Sequence, residues 1–362
     1  MAMKLGKTIM AGLGAAALLT ATACAEPPDD DDDTTGDPEA SFKACMVTDT
    51  GGVDDRSFNA SAWLGMQNAV EENDDIQVEY RQSESSADFV PNLRTFIDED
   101  CDFIVSVGGL MEDATEEVAS EEDNQDLRFG MVDGYVDLPN VTSMEFNTAE
   151  SSFLAGYAAA GTSETGTVGT YGGMDIPPVT IFMDGFVQGV DAYNDEHGDD
   201  VNVVGWNFEE QNGSFTDDFE DTTEGRSQGE TLVSQGADIL FPVAGPAGVG
   251  AAAVVDESDD LKLIWVDIDG CTSLEEYCDD ILTTSVKQIP DAVEHAIQNA
   301  YDEGDMDEHY LGTLENEGVS LAPFHEFEDE VSDELKAELE QLEADVIAGD
   351  VEIESPAIPD RD

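Results

Sequence analysis

Asp49, Phe58, Asn59, Asp113, Phe215, Asp267 and Lys287 are the residues whose types and setting suit the reading of a small molecule. Phe58 and Phe215 stand in polar, turn-rich stretches, DDRSFN and NGSFTDD, where packing alone does not call for a bulky ring. A planar base can stack between two such rings, at about 1–3 kcal/mol per contact. Asp49, Asn59 and Asp113 supply acceptors and an amide for the edge of a base. Asp267 and Lys287 offer an acceptor and a cationic donor suited to sugar hydroxyls. Lys287 is one of only 12 Lys and Arg in the chain, which makes its place at a strand end informative. Each residue also has an ordinary reading. A Phe after a turn often plugs a core, and an Asp at a strand end often caps a helix, as Asp113 and Asp217 would. Gly51-Gly52 and Gly172-Gly173 also fit plain turn geometry. Spacing alone implies a small-molecule cleft and names no ligand.

The elements that must position these residues read as repeated β–α units. Strand 43–48 leads to a helix over 59–73 whose Ala62, Trp63, Met66, Ala69 and Val70 share one face. Strand 76–81, a helix around Phe89 to Ile97, strand 103–107, a helix from near Asp113, and strands 128–132 and 141–145 complete a first series. A second series follows: helix 150–161, strand 167–171, helix 178–196, strand 201–206, helix 217–235, strand 238–242, helix 247–257 and strand 261–266. Strand 281–286 and helices 290–303 and 332–348 then cross back between the halves. Alternation of this kind predicts an α/β protein with parallel sheets covered by helices, here two Rossmann-like lobes joined by a hinge. The expected lobes are 41–147 plus about 269–312, and 148–268 plus about 313–358. Open α/β sheets bind ligands at the carboxyl ends of their strands. That rule selects Asp49 to Asn59, Gly108 to Asp113, Gly172 to Pro177, Asn207 to Phe215, Ala244 to Gly248, Asp267 to Gly270, and Lys287.

The chain of 362 residues is long enough for two lobes, and 40% hydrophobic residues can fill a core in each. Its net charge is −73, from 85 Asp and Glu against 12 Lys and Arg. Such a surface repels nucleic acid and anionic membrane. It suits a halophilic protein, because the Debye length falls to about 3 Å at 1 M salt and self-repulsion is then screened.

The first 40 residues read as an address. Lys4 and Lys7 precede an apolar run, Ile9 to Leu19, too short to span a bilayer. The run ends in Ala21-Thr22-Ala23-Cys24, which resembles a bacterial lipobox with Ala21 in place of the usual Leu. Residues 1–23 are thus expected as a signal peptide and Cys24 as the lipidated N-terminus; the alternative is ordinary cleavage with Cys24 a bystander. Residues 24–40 are an acidic, Pro-containing tether. No later stretch has eighteen or more apolar residues. Cys271 and Cys278 flank a short loop that a disulfide can close, and Cys45 and Cys101 lie at the starts of strands that can be neighbours. Buried thiols are the alternative. No Cys has metal-ligand spacing with a His, and His197, His295, His309 and His325 avoid the strand ends. No nucleophile elbow, metal motif or phosphate loop appears, which argues against an enzyme and offers no cofactor site.

Asp49-Thr-Gly-Gly-Val-Asp-Asp-Arg-Ser-Phe-Asn59, continuing into Ala60-Ser61-Ala62-Trp63-Leu64-Gly65, resembles the opening signature of the basic membrane protein family, the purine nucleoside receptor lipoproteins of ABC importers. Glu150-Ser-Ser-Phe-Leu-Ala-Gly-Tyr157, Gly172-Gly-Met-Asp-Ile-Pro177, Gly213-Ser-Phe-Thr-Asp217, Gln235-Gly-Ala-Asp-Ile-Leu240, Val243-Ala-Gly245, Val266-Asp-Ile-Asp269 and Thr284-Ser-Val-Lys287 are similar to the family in the same order. The resemblance implies a type I periplasmic-binding-protein fold with two lobes and three crossovers. It implies that Phe58 and Phe215 sandwich the base, that Asp49, Asn59 and Asp113 bond its edge, and that Gly245, Asp267 and Lys287 hold the ribose. The partners it implies are a nucleoside, an ABC permease and ATPase, and the membrane through the lipid, for a monomer on the outer face of the cell membrane. The chain departs from the family's Gly-Gly-Thr-Gly at Gly245-Pro-Ala-Gly248, where Pro246 removes a backbone donor. Purine preference is an analogy. The rivals are the same fold holding a free sugar or other solute, a ligand sensor for a signalling protein, and an enzyme such as a nucleoside hydrolase.

Overall fold

The computed structural model describes residues 34–37, 40–302 and 309–359. The expected signal peptide, Cys24 and most of the tether lie outside the described residues. The described part belongs to one compact unit, Thr34–Asp362.

Apolar runs with few breaks form strands buried on both faces, as expected of parallel sheets under helices. In the first series these are β1 (Phe42–Thr48), β2 (Ile76–Arg81), β3 (Phe103–Val107), β4 (Arg128–Val132) and β5 (Val141–Phe146), with helices α1 (Phe58–Glu72), α2 (Ser86–Asp98) and α3 (Glu112–Ala119). The second series contains α4 (Thr148–Thr162), β6 (Thr167–Gly172), α5 (Pro177–His197), β7 (Asn202–Val204), a two-strand hairpin β8 (Trp206–Asn207) and β9 (Asn212–Gly213), α6 (Thr222–Ser234), β10 (Ile239–Val243), α7 (Val249–Val255) and β11 (Lys262–Asp267). The chain ends with α8 (Gly270–Ser273), β12 (Ile281–Lys287), α9 (Ile289–Tyr301), β13 (His309–Gly312), β14 (Val319–Leu321) and α10 (Asp333–Ala348).

The strands form two six-stranded sheets, ordered β2-β1-β3-β4-β5-β13 and β7-β6-β10-β11-β12-β14. All pairs within them are parallel except β12 with β14. The chain passes between sheets after β5, after β12 and after β13, so three crossovers join the halves. They are tied together where Asn147 N donates to Gly312 O at 2.8 Å and Gln288 N donates to Gly318 O at 2.9 Å.

Sheet membership differs from the expected lobe boundaries at one point. Strand 281–287 falls in the span assigned to the first lobe, yet it pairs with β11 in the second sheet. Its seven residues are all buried, and only a place inside a sheet accommodates such a strand. The return to the first half therefore comes at Gln288, and α9 lies against α1. The short strands β13 and β14 have no apolar run long enough to announce them.

Helix α4 is buried almost all round, and α5 lies directly on it. Gly189 permits the approach: a Cβ there would sit 1.9 Å from the Phe153 carbonyl oxygen. Packing this close locks α4 and α5 together beside the second sheet.

Candidate functional site

Asp49 directly follows β1, buried, with its backbone N–H donating to Val107 O. Asn59 Nδ2 donates to its Oδ1 at 3.2 Å. Gly108, at the end of β3, has φ +109°, and a Cβ there would lie 2.0 Å from Asp49 Oδ2. The carboxyl thus occupies the space a side chain would take. Burial pushes Asp49 up to about 8, against the smaller opposing pull of the Asn59 hydrogen bond and with help from the nearby carboxylates Asp55 and Asp133. Asp55 has a different task. Its carboxylate accepts from Ser57 N at 3.0 Å, Asn59 N at 2.7 Å and Ala60 N at 2.9 Å, and so starts α1. Burial raises it to about 6, more than those three bonds lower it.

Lys287 ends β12 and is 3% exposed. Its Nζ is 2.6 Å from Asp133 Oδ2 and 3.7 Å from Asp267 Oδ1. It also lies 5.0 Å from the Phe182 ring centroid and 5.2 Å from that of Phe58, within cation–π range. Asp267 is further held by Ser57 Oγ, which donates to its Oδ2 at 2.6 Å. For Asp133, burial raises the carboxyl and outweighs the lowering by Lys287. Asp133 has φ 60° and Asp267 φ 68°. Each left-handed Asp costs about 1–2 kcal/mol, and in exchange both carboxylates are set beside one buried ammonium at the mouth of their strands.

These groups share one cleft of about 580 Å³ of non-protein space, part of it open to solvent. Asp49, Phe58, Asn59, Gly245, Asp267 and Lys287 line it. Asp133, Phe182 and Phe219 line it as well, although the sequence pattern does not single them out. Asp113 does not. It is exposed in the first turn of α3, where a carboxylate is favoured by the helix N-terminus. Phe215 does not either. Its backbone bridges to Gly172, and its ring meets Trp206 edge-on at 5.9 Å. Helix α6 also starts later than expected. Asp221, not Asp217, is the cap, accepting from Thr223 N at 2.9 Å and Glu224 N at 3.1 Å. Residues 217–221 remain a loop, and this loop brings Phe219 to the cleft. Asp133 was findable by the strand-end rule, since it directly follows β4.

Cys45 is joined to Cys101 and Cys271 to Cys278. Asp269, Cys271 and His325 gather near the end of β11 with metal-ligand chemistry, which sequence spacing conceals. The Cys271 sulfur is in its disulfide, and His325 Nε2 is bonded to Asp269 Oδ2 at 2.8 Å, so all three donors are already engaged.

Residues 42–356 match the family model described as ABC transporter substrate-binding protein PnrA-like. A CD4+ T-cell-stimulating antigen of Listeria monocytogenes is 32% identical over 86% of this chain and 88% of its own length. The ABC transporter nucleoside-binding protein BmpA of Lactococcus lactis is 28% identical over 89% of this chain and 92% of its own. Among solved structures, an ABC transporter solute-binding protein from Aeropyrum pernix aligns with a TM-score of 0.77 at 25% identity, over 87% of this chain and 94% of that one. Two parallel-sheet lobes with three crossovers are the type I periplasmic solute-binding architecture. The family binds and delivers; it does not catalyse. With the match spanning both sheets and every cleft residue, the chain belongs to the Bmp family of PnrA-like ABC transporter substrate-binding proteins.

Proposed function

We propose that the protein captures a nucleoside, with purines preferred, and presents it to an ABC permease and ATPase. The observation that carries this reading is Lys287, buried between Asp133 and Asp267 beside Phe58 and Phe182. One end of the cleft suits hydroxyl groups; the remainder, with Phe58 and Phe219, suits a flat apolar ring. The Lactococcus lactis relative named as nucleoside-binding supports the same ligand class. In this reading Asp49 and Asn59 bond the base edge, Phe58 and Phe219 stack on it, and Gly245, Asp267 and Lys287 hold the sugar. The sheets act as two lobes that close on the ligand, in a monomer held at the outer face of the membrane by lipid on Cys24. Relatives in Pyrococcus species are named as lipoproteins, which supports the anchor.

Stacking by Phe219 is testable against Phe215. Phe219→Ala lowers inosine affinity by about 10–100-fold, the worth of one stacking contact. Phe215→Ala stays within a few-fold and lowers thermal stability instead. A larger affinity loss for Phe215→Ala would contradict the site.

The charge of −73 makes the same trap a halophilic one. Thermal unfolding shifts up by roughly 10 °C between dilute buffer and molar NaCl as self-repulsion is screened. A flat dependence would contradict a halophilic protein.

A further inference from the structure

The loop between β1 and α1 reaches the opposite half of the molecule with two adjacent residues. Ser57 makes the buried bond to Asp267. Arg56 points outward, and its Nη1 donates to Glu276 Oε1. Neither Arg56 nor Glu276 lines the cleft, and both are about half exposed, at 49% and 52%. Yet each is joined along the chain to residues that do: Arg56 stands two before Phe58, and Glu276 lies in the turn after α8, the helix that follows Asp267.

Each side of this pair is held in place. Arg56 has φ 57°, an uncommon conformation for a side chain of its size. The Asp55 carboxylate, bonded to the Ser57 and Asn59 amides, fixes the backbone on both sides of that turn. Glu276 lies in a turn that the Cys271–Cys278 disulfide closes. Leu274 is fully buried in the second half's core and Tyr277 packs against it, so the turn is anchored there. Arg56 and the turn's own amide together hold the Glu276 carboxyl below the usual range, the amide contributing more. In a chain with 12 Lys and Arg, a cation placed in a pair between the β1–α1 loop and the segment after β11 is a selective placement.

We propose that Arg56 and Glu276 form a disulfide-braced latch across the mouth of the cleft, positioning residues that favour the closed arrangement without touching ligand. The Asp269–Glu276 segment carries the latch on one side, and Asp55–Ser57 on the other. An exposed ion pair is modest, so the latch changes the closed-to-open ratio by about 2–5-fold. It does so less in molar salt.

The test uses the full chain carrying nitroxide labels at the exposed positions Glu116 in α3 and Ser227 in α6, with distances read by double electron–electron resonance. Without ligand, Arg56→Glu and Glu276→Arg each move population toward the longer distance, and the double variant, with charges exchanged, restores the parent distribution. Cys271→Ser with Cys278→Ser also broadens it. Unchanged distributions in both single variants would overturn the latch, as would failure of the exchanged pair to restore the parent. A second arm adds inosine. If inosine leaves every distribution unchanged, the nucleoside reading fails, while the ligand-free arm still decides the latch.

Discussion

Lys287→Met is expected to abolish ligand capture and to destabilise the protein by about 3–5 kcal/mol, the cost of breaking a buried ion pair by removing one partner. The ammonium is 2.6 Å from Asp133 and 3.7 Å from Asp267, and only 3% of the residue is exposed. Methionine fills most of the volume but leaves two left-handed aspartates facing each other without a cation. Adding Asp133→Asn to Lys287→Met restores much of the stability, because the amide needs no counter-charge. It does not restore inosine binding, because the donor to the sugar is still missing. Thermal unfolding and calorimetry on the parent, both single variants and the double variant check this. A stable, binding-competent Lys287→Met protein would refute the role given to the lysine.

Asp49→Asn is expected to change the pH dependence of stability. The carboxyl is raised from 3.8 to about 8 by burial. The folded protein therefore takes up a proton between those values, and the unfolded chain does not. Stability contributed by this group is full below about pH 4 and is lost as pH rises through about 8, by roughly 1.4 kcal/mol for each unit of the raised pKa. Asparagine keeps the size and a donor and cannot ionise. The variant is thus more stable than the parent at pH 8.5, by several kcal/mol at most, and near parity at pH 4.5. Self-repulsion of the acidic surface also grows with pH, so the informative quantity is the difference between variant and parent at fixed molar NaCl. A difference that does not vary with pH would contradict a buried, proton-binding Asp49.

The strand–helix alternation was legible almost residue by residue. β2, β3 and β4 fall on the expected residues, and β1, β5, β6, β10, β11 and β12 fall within two residues of them, because buried parallel strands are unbroken apolar runs. Two kinds of feature were not legible. Short pairings such as β13 and β14 depend on the crossovers being side by side, which no local pattern encodes. Helix starts depend on which of several aspartates caps. With Asp217, Asp218 and Asp221 in one stretch, spacing alone does not say which one caps α6, and the polar setting that marks Phe215 does not mark Phe219, four residues on in the loop before that cap. Asp113 stands in the strand-end segment after β3 but lies in the first turn of a helix, whereas Asp133, directly after β4, lines the cleft; among so many carboxylates, spacing does not separate the two. Lys287 was legible for the opposite reason: in a chain this acidic, a basic residue at a strand end stands out.

The ligand class is the centre of this account. Calorimetry in molar NaCl on protein freed of ligand by unfolding and refolding, titrated with inosine and separately with ribose, tests it directly. The account predicts a saturable one-to-one heat with inosine and ribose binding at least about 100-fold weaker, since ribose forgoes both stacking contacts. Ribose binding as tight as inosine, or no heat from adenosine, guanosine or inosine, would contradict it.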